Sequence, residues 1–240
     1  MDLFILYQYF ITAILAILLI NFIINNILFK NSSKYRLPES FIDKNPLISI
    51  LIPARNEEKN IKRCLNSLIK QDYANPEILV LDDNLTDSTY EIASEFSLKD
   101  KRIKLYRGKK LPKGWMGKSY ACHQLSKYAK GEYLIFLDAD TLHFPSSVSS
   151  SVACLVNNGL DAVSVFARQI MVSIHERMMV PMGNYFILSF LPFFTISKVR
   201  NEKFCVAIGQ FMLFKKEVYR KIGGHKSIRN DILEDIKISR

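Results

Sequence analysis

Three short apolar runs in this chain end in the same way, and that repetition limits its possible folds more than any other feature. LISILIP (Leu47–Pro53) runs into Arg55, Asn56 and Glu57. EILVL (Glu77–Leu81) runs into Asp82 and Asp83, and EYLIFL (Glu132–Leu137) runs into Asp138 and Asp140. Continuous apolar runs of this length suit parallel strands buried on both faces. Between them apolar residues recur at helical spacing, as in Ile61, Leu65, Leu68 and Ile69, and a helix through TDSTYEIASEF, a short strand RIKLY and a helix KSYACHQLSKYA continue the series. Strands alternating with helices predict an α/β fold: a parallel sheet with helices on both faces. Ligands of such sheets bind beyond the carboxyl ends of the strands, so the polar groups named above collect on one functional edge.

Outside this alternation lies a different kind of segment. No charged residue occurs from Leu3 to Phe29, and a helix of that length can cross a hydrocarbon core of roughly 30 Å. The run is too long for a signal peptide, has no basic segment before it and ends in no small-residue cleavage site, so a retained transmembrane anchor is expected. Lys30, Lys34, Arg36 and Lys44 follow it while only Asp2 precedes it, which places the rest of the chain on the cytoplasmic face as a single-pass protein of the cell membrane. The expected organisation is an anchor over 1–29, a polar, proline-marked linker over 30–46 and one domain over 47–240. A net charge of +10 then suits an anionic membrane face or a nucleoside diphosphate, with no nucleic acid expected. Cys64, Cys122, Cys154 and Cys205 lack CxxC spacing and are expected to be reduced.

A second uncharged stretch covers Met178–Ser197. Were it to cross the membrane, Asp235 and Asp138 would lie on opposite sides, so an interfacial helix or acceptor-facing wall is expected, interrupted near Pro181 and Pro192. A buried core helix is the alternative. FCVAIGQFMLFKK (Phe204–Lys216) reads as a further strand with Gly209 and Gln210 near its middle, and Gly223, Gly224 and His225 as a turn before the last helix.

Within FLDADT, Asp138 and Asp140 leave a strand two residues apart, an arrangement of oxygen ligands that suits Mg2+ or Mn2+ completed by substrate phosphates. The alternative is a loop or helix cap, for which Asp is common. Asp82 and Asp83 can hold a ribose or base edge, or form a turn before a helix capped by Thr86 or Asp87. Neither a G-x-G-x-x-G nor a Walker lysine loop is present, which speaks against a Rossmann dehydrogenase or a P-loop enzyme. In KKLPKGWMGKS, Trp115 can cover a donor and Lys118, at a helix start, can approach a diphosphate; a packed indole and a solvated lysine are the alternatives. His123, His143, His175 and His225 show no metal-ligand spacing and read as surface or hydrogen-bonded polar residues.

Taken in order, ISILIPARNEEKNI, VLDDNLTDST, KGEYLIFLDADT and the terminal LED resemble a family 2 glycosyltransferase of GT-A fold, over Ile48 to the end. LPKGWMGKSYACHQL and GGHKS are similar to a membrane-bound subgroup that glycosylates carotenoid acids or is associated with hopanoid synthesis. The resemblance implies that Pro53, Arg55 and Glu57 belong to the first nucleotide-contacting loop and that Asp83, beside Asp82, holds the uracil or ribose of a UDP-sugar. It implies that Asp138 and Asp140 bind the metal and diphosphate, that Asp235, paired with Glu234, is the general base, and that Gly209 and Gln210 shape the acceptor pocket. Leu85 departs from the family, which usually has a small Ser there. The implied activity is inverting transfer from a nucleoside-diphosphate sugar to a lipid or isoprenoid acceptor, Asp235 pointing to a hydroxyl. Relatives of this type continue into further membrane helices, so the domain is expected to be incomplete at its C-terminus. A non-catalytic nucleotide-sugar-binding remnant and a nucleotidyltransferase are the competing readings.

Overall fold

A computed structural model describes residues 2–28, 31–83, 86–193, 207–231 and 234–238, without the side chains of Glu234 and Ile236. Leu85, Cys205, the flanking Phe29 and Lys30, residues 194–197 of the second apolar stretch and the first residues of the Phe204–Lys216 strand lie outside the described residues. The chain divides into two compact units, Met1–Asn31 with Arg168–Cys205 and Ser32–Ala167 with Val206–Arg240.

The second unit is built on a sheet of β1 (Ile48–Ala54), β2 (Pro76–Asp82), β3 (Ile103–Arg107), β4 (Tyr133–Leu137), β5 (Ala162–Ser164) and β6 (Phe211–Lys215), in the order β3-β2-β1-β4-β6-β5. Its helices are α2 (Glu39–Lys44), α3 (Ile61–Ile69), α4 (Thr89–Lys99), α5 (Gly117–Tyr128), α6 (Ser147–Asn157), α8 (Lys216–Lys221), α9 (Gly224–Ser227) and α10 (Glu234–Ile238). The period-two alternation of strands explains why continuous apolar runs were needed. Ile48, Ile50 and Ile52 join Ile78, Val80, Ile135 and Leu213 in one core with α3 and α6. Leu51, Leu79, Leu81, Phe136 and Phe214 face the other way, onto α5 and Tyr219. The stretch read as linker carries α2, whose Phe41 is buried against Tyr73 and Tyr133.

β1, β2, β3 and β4 are parallel, as expected, but the sheet is mixed: β6 runs antiparallel to β4 and β5 antiparallel to β6. A second correction follows from the same strand. Gly209 and Gln210 are not mid-strand; they form the turn that leads into β6. Because β6 is antiparallel, it enters the sheet at the edge where β4 leaves it, with Phe211 opposite Leu137. That brings the 209–210 turn to the carboxylate edge, where a parallel strand would have carried it away.

At the opposite edge a polar knot joins three strands. Glu77 is buried, and its carboxylate accepts from Ser49 Oγ (2.6 Å), Lys104 Nζ (2.8 Å) and the Lys130 N–H (2.7 Å). Ser49 Oγ in turn accepts from the Gly131 N–H at 2.8 Å. Burial works against the Glu77 charge, but these donors outweigh it and hold its carboxyl below the usual range. Gly131 fits only because it has no side chain: a Cβ would lie 2.6 Å from the Ser49 nitrogen and 2.7 Å from the Leu47 carbonyl oxygen. Gly131→Ala is expected to destabilise the chain by about 1–3 kcal/mol, read as a lower midpoint in denaturant.

In the first unit α1 (Leu3–Leu28) packs with α7 (Ile174–Phe190). α7 starts at a capping box in which Ser173 Oγ accepts from the Glu176 N–H while the Glu176 carboxylate accepts from the Ser173 N–H. The expected break at Pro181 is absent: the helix runs through it and stops short of Pro192. A proline in a helix removes one N–H. The hydrogen bonds on either side, anchored by the capping box, carry the helix past it. Among the described residues α1 is the one helix long and apolar enough to cross a membrane.

Candidate active site

The parallel strands deliver their terminal residues to one edge, and the loops there are tied to one another. The Asp83 N–H donates to the Ala54 carbonyl at 2.9 Å, fixing the end of β2 beside that of β1. Beyond β1 the backbone turns through Asn56, which has a left-handed φ of 56°. The Glu57 N–H donates to Thr89 Oγ1 (2.8 Å) and the Glu58 N–H to Asp87 Oδ2 (3.1 Å), so the loop after β1 and the start of α4 form one structure. Asp87 also accepts from the Thr89 N–H at 3.1 Å, but the N-cap of α4 is Ser88, with no side-chain cap, rather than the expected Thr86 or Asp87. The Glu57 carboxylate accepts from Asn60 Nδ2 at 2.9 Å.

Two glycines mark where the chain closes on Asp83. A Cβ on Gly117, the first residue of α5, would stand 3.5 Å from both Arg55 Nη1 and Asp83 Oδ2; one on Gly108 would stand 3.2 Å from Asp83 Oδ1. Burial raises the Asp83 carboxyl and Arg55 opposes the rise. Asp82 is buried at the end of β2. Arg55, Asp83 and the start of α5 therefore line one compartment. No side chain caps α5, so its first N–H groups and the positive end of its dipole are directed at this edge.

Next to it lies an acidic cluster. Lys118 Nζ pairs with Asp138 Oδ1 at 2.6 Å, the Asp138 side chain being 27% exposed. The Gly209 N–H donates to Asp235 Oδ2 at 3.1 Å, and the Asp138 N–H to the Gln210 carbonyl at 3.3 Å. A Cβ on Gly209 would lie 3.4 Å from Lys118 Nζ and 3.6 Å from Asp235 Oδ2. Burial pushes the Asp138 carboxyl up, Lys118 pulls it down, and the neighbouring Asp140 and Asp235 carboxylates push it up further. The structure thus brings together Lys118, Asp138, Asp235, Gly209 and Gln210, with Asp140 exposed alongside. Pro53 lines the same cleft. The side chain of Glu234 lies outside the described residues. Trp115 packs on α5, 5.1 Å from the Tyr120 ring and 5.0 Å from that of His123, and its loop is joined to the chain before α10 by the Met116 N–H donating to the Arg229 carbonyl at 2.8 Å.

Among the described residues no three His, Cys, Asp or Glu side chains converge as a ready-made metal cage. The donor set nevertheless fits a hard divalent ion that keeps waters and phosphate oxygens in its shell, because Asp138, Asp140 and Asp235 concentrate negative charge around one lysine.

His225 lines this cleft, although in the sequence it reads only as part of a turn without metal-ligand spacing. It is buried, lies 4.7 Å from the Phe136 ring, and shares a 2.7 Å hydrogen bond between Nδ1 and Tyr219 Oη. The signal was the pair Gly223-Gly224, both at positive φ. A Cβ on Gly224 would sit 2.5 Å from the Tyr219 ring, which is how the turn presses His225 into the cleft wall. Burial, with Lys118 and His123 nearby, pushes the His225 imidazole down to about 3. Burial likewise pushes His143 down to about 4. Thr141 Oγ1 donates its proton to the Asp138 carbonyl (2.6 Å), so at 2.8 Å from His143 Nε2 it accepts, making Nε2 the protonated nitrogen.

Both histidines fold neutral and would bind protons only when unfolded. Their stabilisation is complete above about pH 6.5 and is lost as pH falls toward these depressed values. The expected slope is about 1.4 kcal/mol per pH unit for each histidine. Unfolding midpoints measured from pH 7 to pH 4.5 should fall, and His143→Gln should flatten the curve by one share.

The mixed sheet with its polar groups on this edge is the GT-A architecture of solved glycosyltransferases. The mannosyltransferase PcManGT from Pyrobaculum calidifontis, in complex with GDP-Man and Mn2+, has a TM-score of 0.61 at 20% identity, over 88% of this chain and 56% of that one. S. aureus TarS 1–349 in complex with UDP has a TM-score of 0.55 at 21% identity, over 80% and 53% respectively. Residues 49–223 match the family described as Glycosyl transferase family 2, and the chain belongs to that family. It is 30% identical over 197 residues to 4,4'-diaponeurosporenoate glycosyltransferase of Staphylococcus haemolyticus (strain JCSC1435), across 80% of this chain and 50% of that protein. It is 36% identical over 114 residues to UDP-Glc:alpha-D-GlcNAc-diphosphoundecaprenol beta-1,3-glucosyltransferase WfgD of Escherichia coli, across 48% of this chain and 43% of that protein. The chain spans about half the length of these curated relatives.

Proposed function

We propose that this chain carries the donor site and catalytic acids of an inverting, metal-dependent glycosyltransferase that moves a sugar from a UDP-sugar to a lipid-like acceptor at the cytoplasmic face of the cell membrane. The observation that carries this reading is the cluster of Lys118, Asp138 and Asp235 around the 209–210 turn, beside the Arg55 and Asp83 compartment. Arg55 and Asp83 hold the nucleoside, with Pro53, Glu57 and Asp82 shaping that wall. Lys118 and the first N–H groups of α5 receive the diphosphate. Asp138 and Asp140 would hold Mg2+ or Mn2+, which when bound supplies positive charge to offset the negative charge developing on the leaving diphosphate.

Asp235 takes the proton of the attacking acceptor hydroxyl. Attack from the face opposite the departing diphosphate inverts the anomeric carbon. Gly209 supports this assignment, since its N–H donates to Asp235 Oδ2 and its missing side chain leaves the cleft open beside Lys118. Trp115 and Gln210 are assigned to sugar and acceptor contacts. Relatives whose names specify a carotenoid acid and an undecaprenol-linked sugar support a lipid-like acceptor, as does the apolar helix α1.

The test is transfer of radiolabelled sugar from UDP-glucose or UDP-N-acetylglucosamine into extractable lipid by the chain in vesicles with Mn2+. Chelation by EDTA is expected to abolish transfer, and added Mn2+ or Mg2+ to restore it. Donor binding with neither transfer nor hydrolysis would mark a non-catalytic binding remnant, and full activity in EDTA would remove the metal from the scheme.

A further inference from the structure

α1 has no charged side chain over its 26 residues, yet it carries Asn21 and Asn25 one turn apart near its end. Asn21 Nδ2 donates to the carbonyls of Ser189 (2.7 Å) and Leu191 (3.3 Å). Asn25 Nδ2 donates to those of Leu188 (2.7 Å) and Leu191 (2.6 Å). Every helix leaves its last four carbonyls without partners inside the helix. In α7 the Ile187 carbonyl accepts from the Leu191 N–H at 3.1 Å, and the next two carbonyls, of Leu188 and Ser189, are satisfied from α1. Asn25 is fully buried by this contact and Ser189 almost so. A helix end in water takes such partners from solvent. One placed in hydrocarbon must have them supplied by protein.

The exposed surface of α7 fits the same surroundings. Ile174, Met178, Met182, Phe186 and Phe190, four residues apart in succession, are each more than half exposed, so they form one apolar stripe. The first turn is polar, with His175, Glu176 and Arg177 exposed around the Ser173 capping box. Asn25 and Asn21 precede the end of α1 by about 5 and about 10 Å at 1.5 Å per residue. That is the depth, about 5–10 Å, at which interfacial helices lie.

We propose that α7 is embedded in the membrane leaflet from which the C-terminal end of α1 emerges, with its Ile174–Phe190 stripe among the acyl chains and its Leu188 and Ser189 carbonyls, with that of Leu191, satisfied there by Asn21 and Asn25. The occupant of the stripe is lipid hydrocarbon. α7 packs on α1 within one compact unit, α1 is itself long and apolar enough to span, and Lys34 and Arg36 follow it to meet anionic headgroups. The inference does not depend on glycosyl transfer.

Tryptophan quenching in vesicles of phosphatidylcholine and phosphatidylglycerol tests it, using the whole chain with Trp115→Phe to remove the native fluorophore. Phe186→Trp and Phe190→Trp should be quenched several-fold more by doxyl-labelled lipid than by aqueous iodide. Adding Asn25→Leu should raise iodide quenching in the Phe190→Trp variant several-fold, while a Phe10→Trp probe in α1 stays lipid-quenched. Strong iodide quenching at both α7 positions without Asn25→Leu, or protection from both quenchers, would overturn the membrane placement. Unchanged quenching at Phe190→Trp after Asn25→Leu would overturn the role of the asparagine pair.

Discussion

Asp235→Asn is expected to lower sugar transfer to a hydroxyl acceptor by about 10²–10⁴-fold while leaving the affinity for the nucleotide sugar near its original value. The amide keeps the shape of the carboxylate, and its oxygen can still accept from the Gly209 N–H that holds Oδ2 at 3.1 Å. What it loses is the capacity to take a proton. Loss confined to kcat with KM for the donor unchanged is the signature of a group used only in the transition state. The acceptor provides a control. A carboxylic acid, with a reference pKa near 4, is ionised at neutral pH and needs no base, so the same variant should retain most of its activity toward a carotenoid-acid acceptor. Kinetics with one acceptor of each kind decide between the two. Equal loss with both would assign Asp235 to positioning, and no loss with the hydroxyl would remove it from the proton transfer.

Asp138→Asn is expected to abolish measurable transfer and yet leave the protein as stable or more stable than before. The raised Asp138 carboxyl is the reason: burial outweighs the Lys118 ion pair, and Asp140 and Asp235 add repulsion. For an acid whose folded pKa lies above its unfolded one, the stabilising contribution is present below the ordinary carboxylate range. It disappears as pH rises through the folded value. At neutral pH the ionised Asp138 is therefore held at a cost, and a neutral isostere relieves it. Thermal midpoints at pH 7, measured beside transfer rates, should show stability maintained or raised and activity lost. A clear drop in midpoint would mean that the pair with Lys118 stabilises the fold more than the burial of the charge destabilises it.

The fold was legible where one short segment held the whole signal. LISILIP, EILVL and EYLIFL are apolar on both faces, and the structure uses both faces of each strand, so parallel pairing and the carboxylate edge followed from local sequence. The direction of β6 was not local information. FMLFK reads as a strand in either direction, and only its pairing with β4 sets it antiparallel; the apolar residues on both sides of Gly209 and Gln210 likewise hide the turn with which the strand begins. The candidate site divides along the same line. Asp83, Asp138 and Lys118 stand at strand or helix ends visible in the sequence, whereas the approach of Asp235 to Gly209 spans 26 positions and depends on tertiary packing. His225 was missed because spacing rules look for metal ligands, and its place in the cleft wall comes from a glycine turn pressed against Tyr219. In α7, Pro181 pointed to a break that the helix does not make.

The knot around Glu77 has a consequence for strand register. Runs such as ISILI, EILVL and YLIFL would look almost equally apolar if one strand slipped past another, so hydrophobicity alone leaves their alignment nearly degenerate. Glu77 removes that ambiguity, since its carboxylate reaches Ser49, Lys104 and the Lys130 N–H together only when Ser49 stands opposite Glu77 and β3 lies in its present place. A slip of one residue would shift a strand end by about 3.3 Å and turn its acids toward the wrong face. The heights at which Asp83 and Asp138 emerge at the far edge are therefore set by a buried glutamate at the near one.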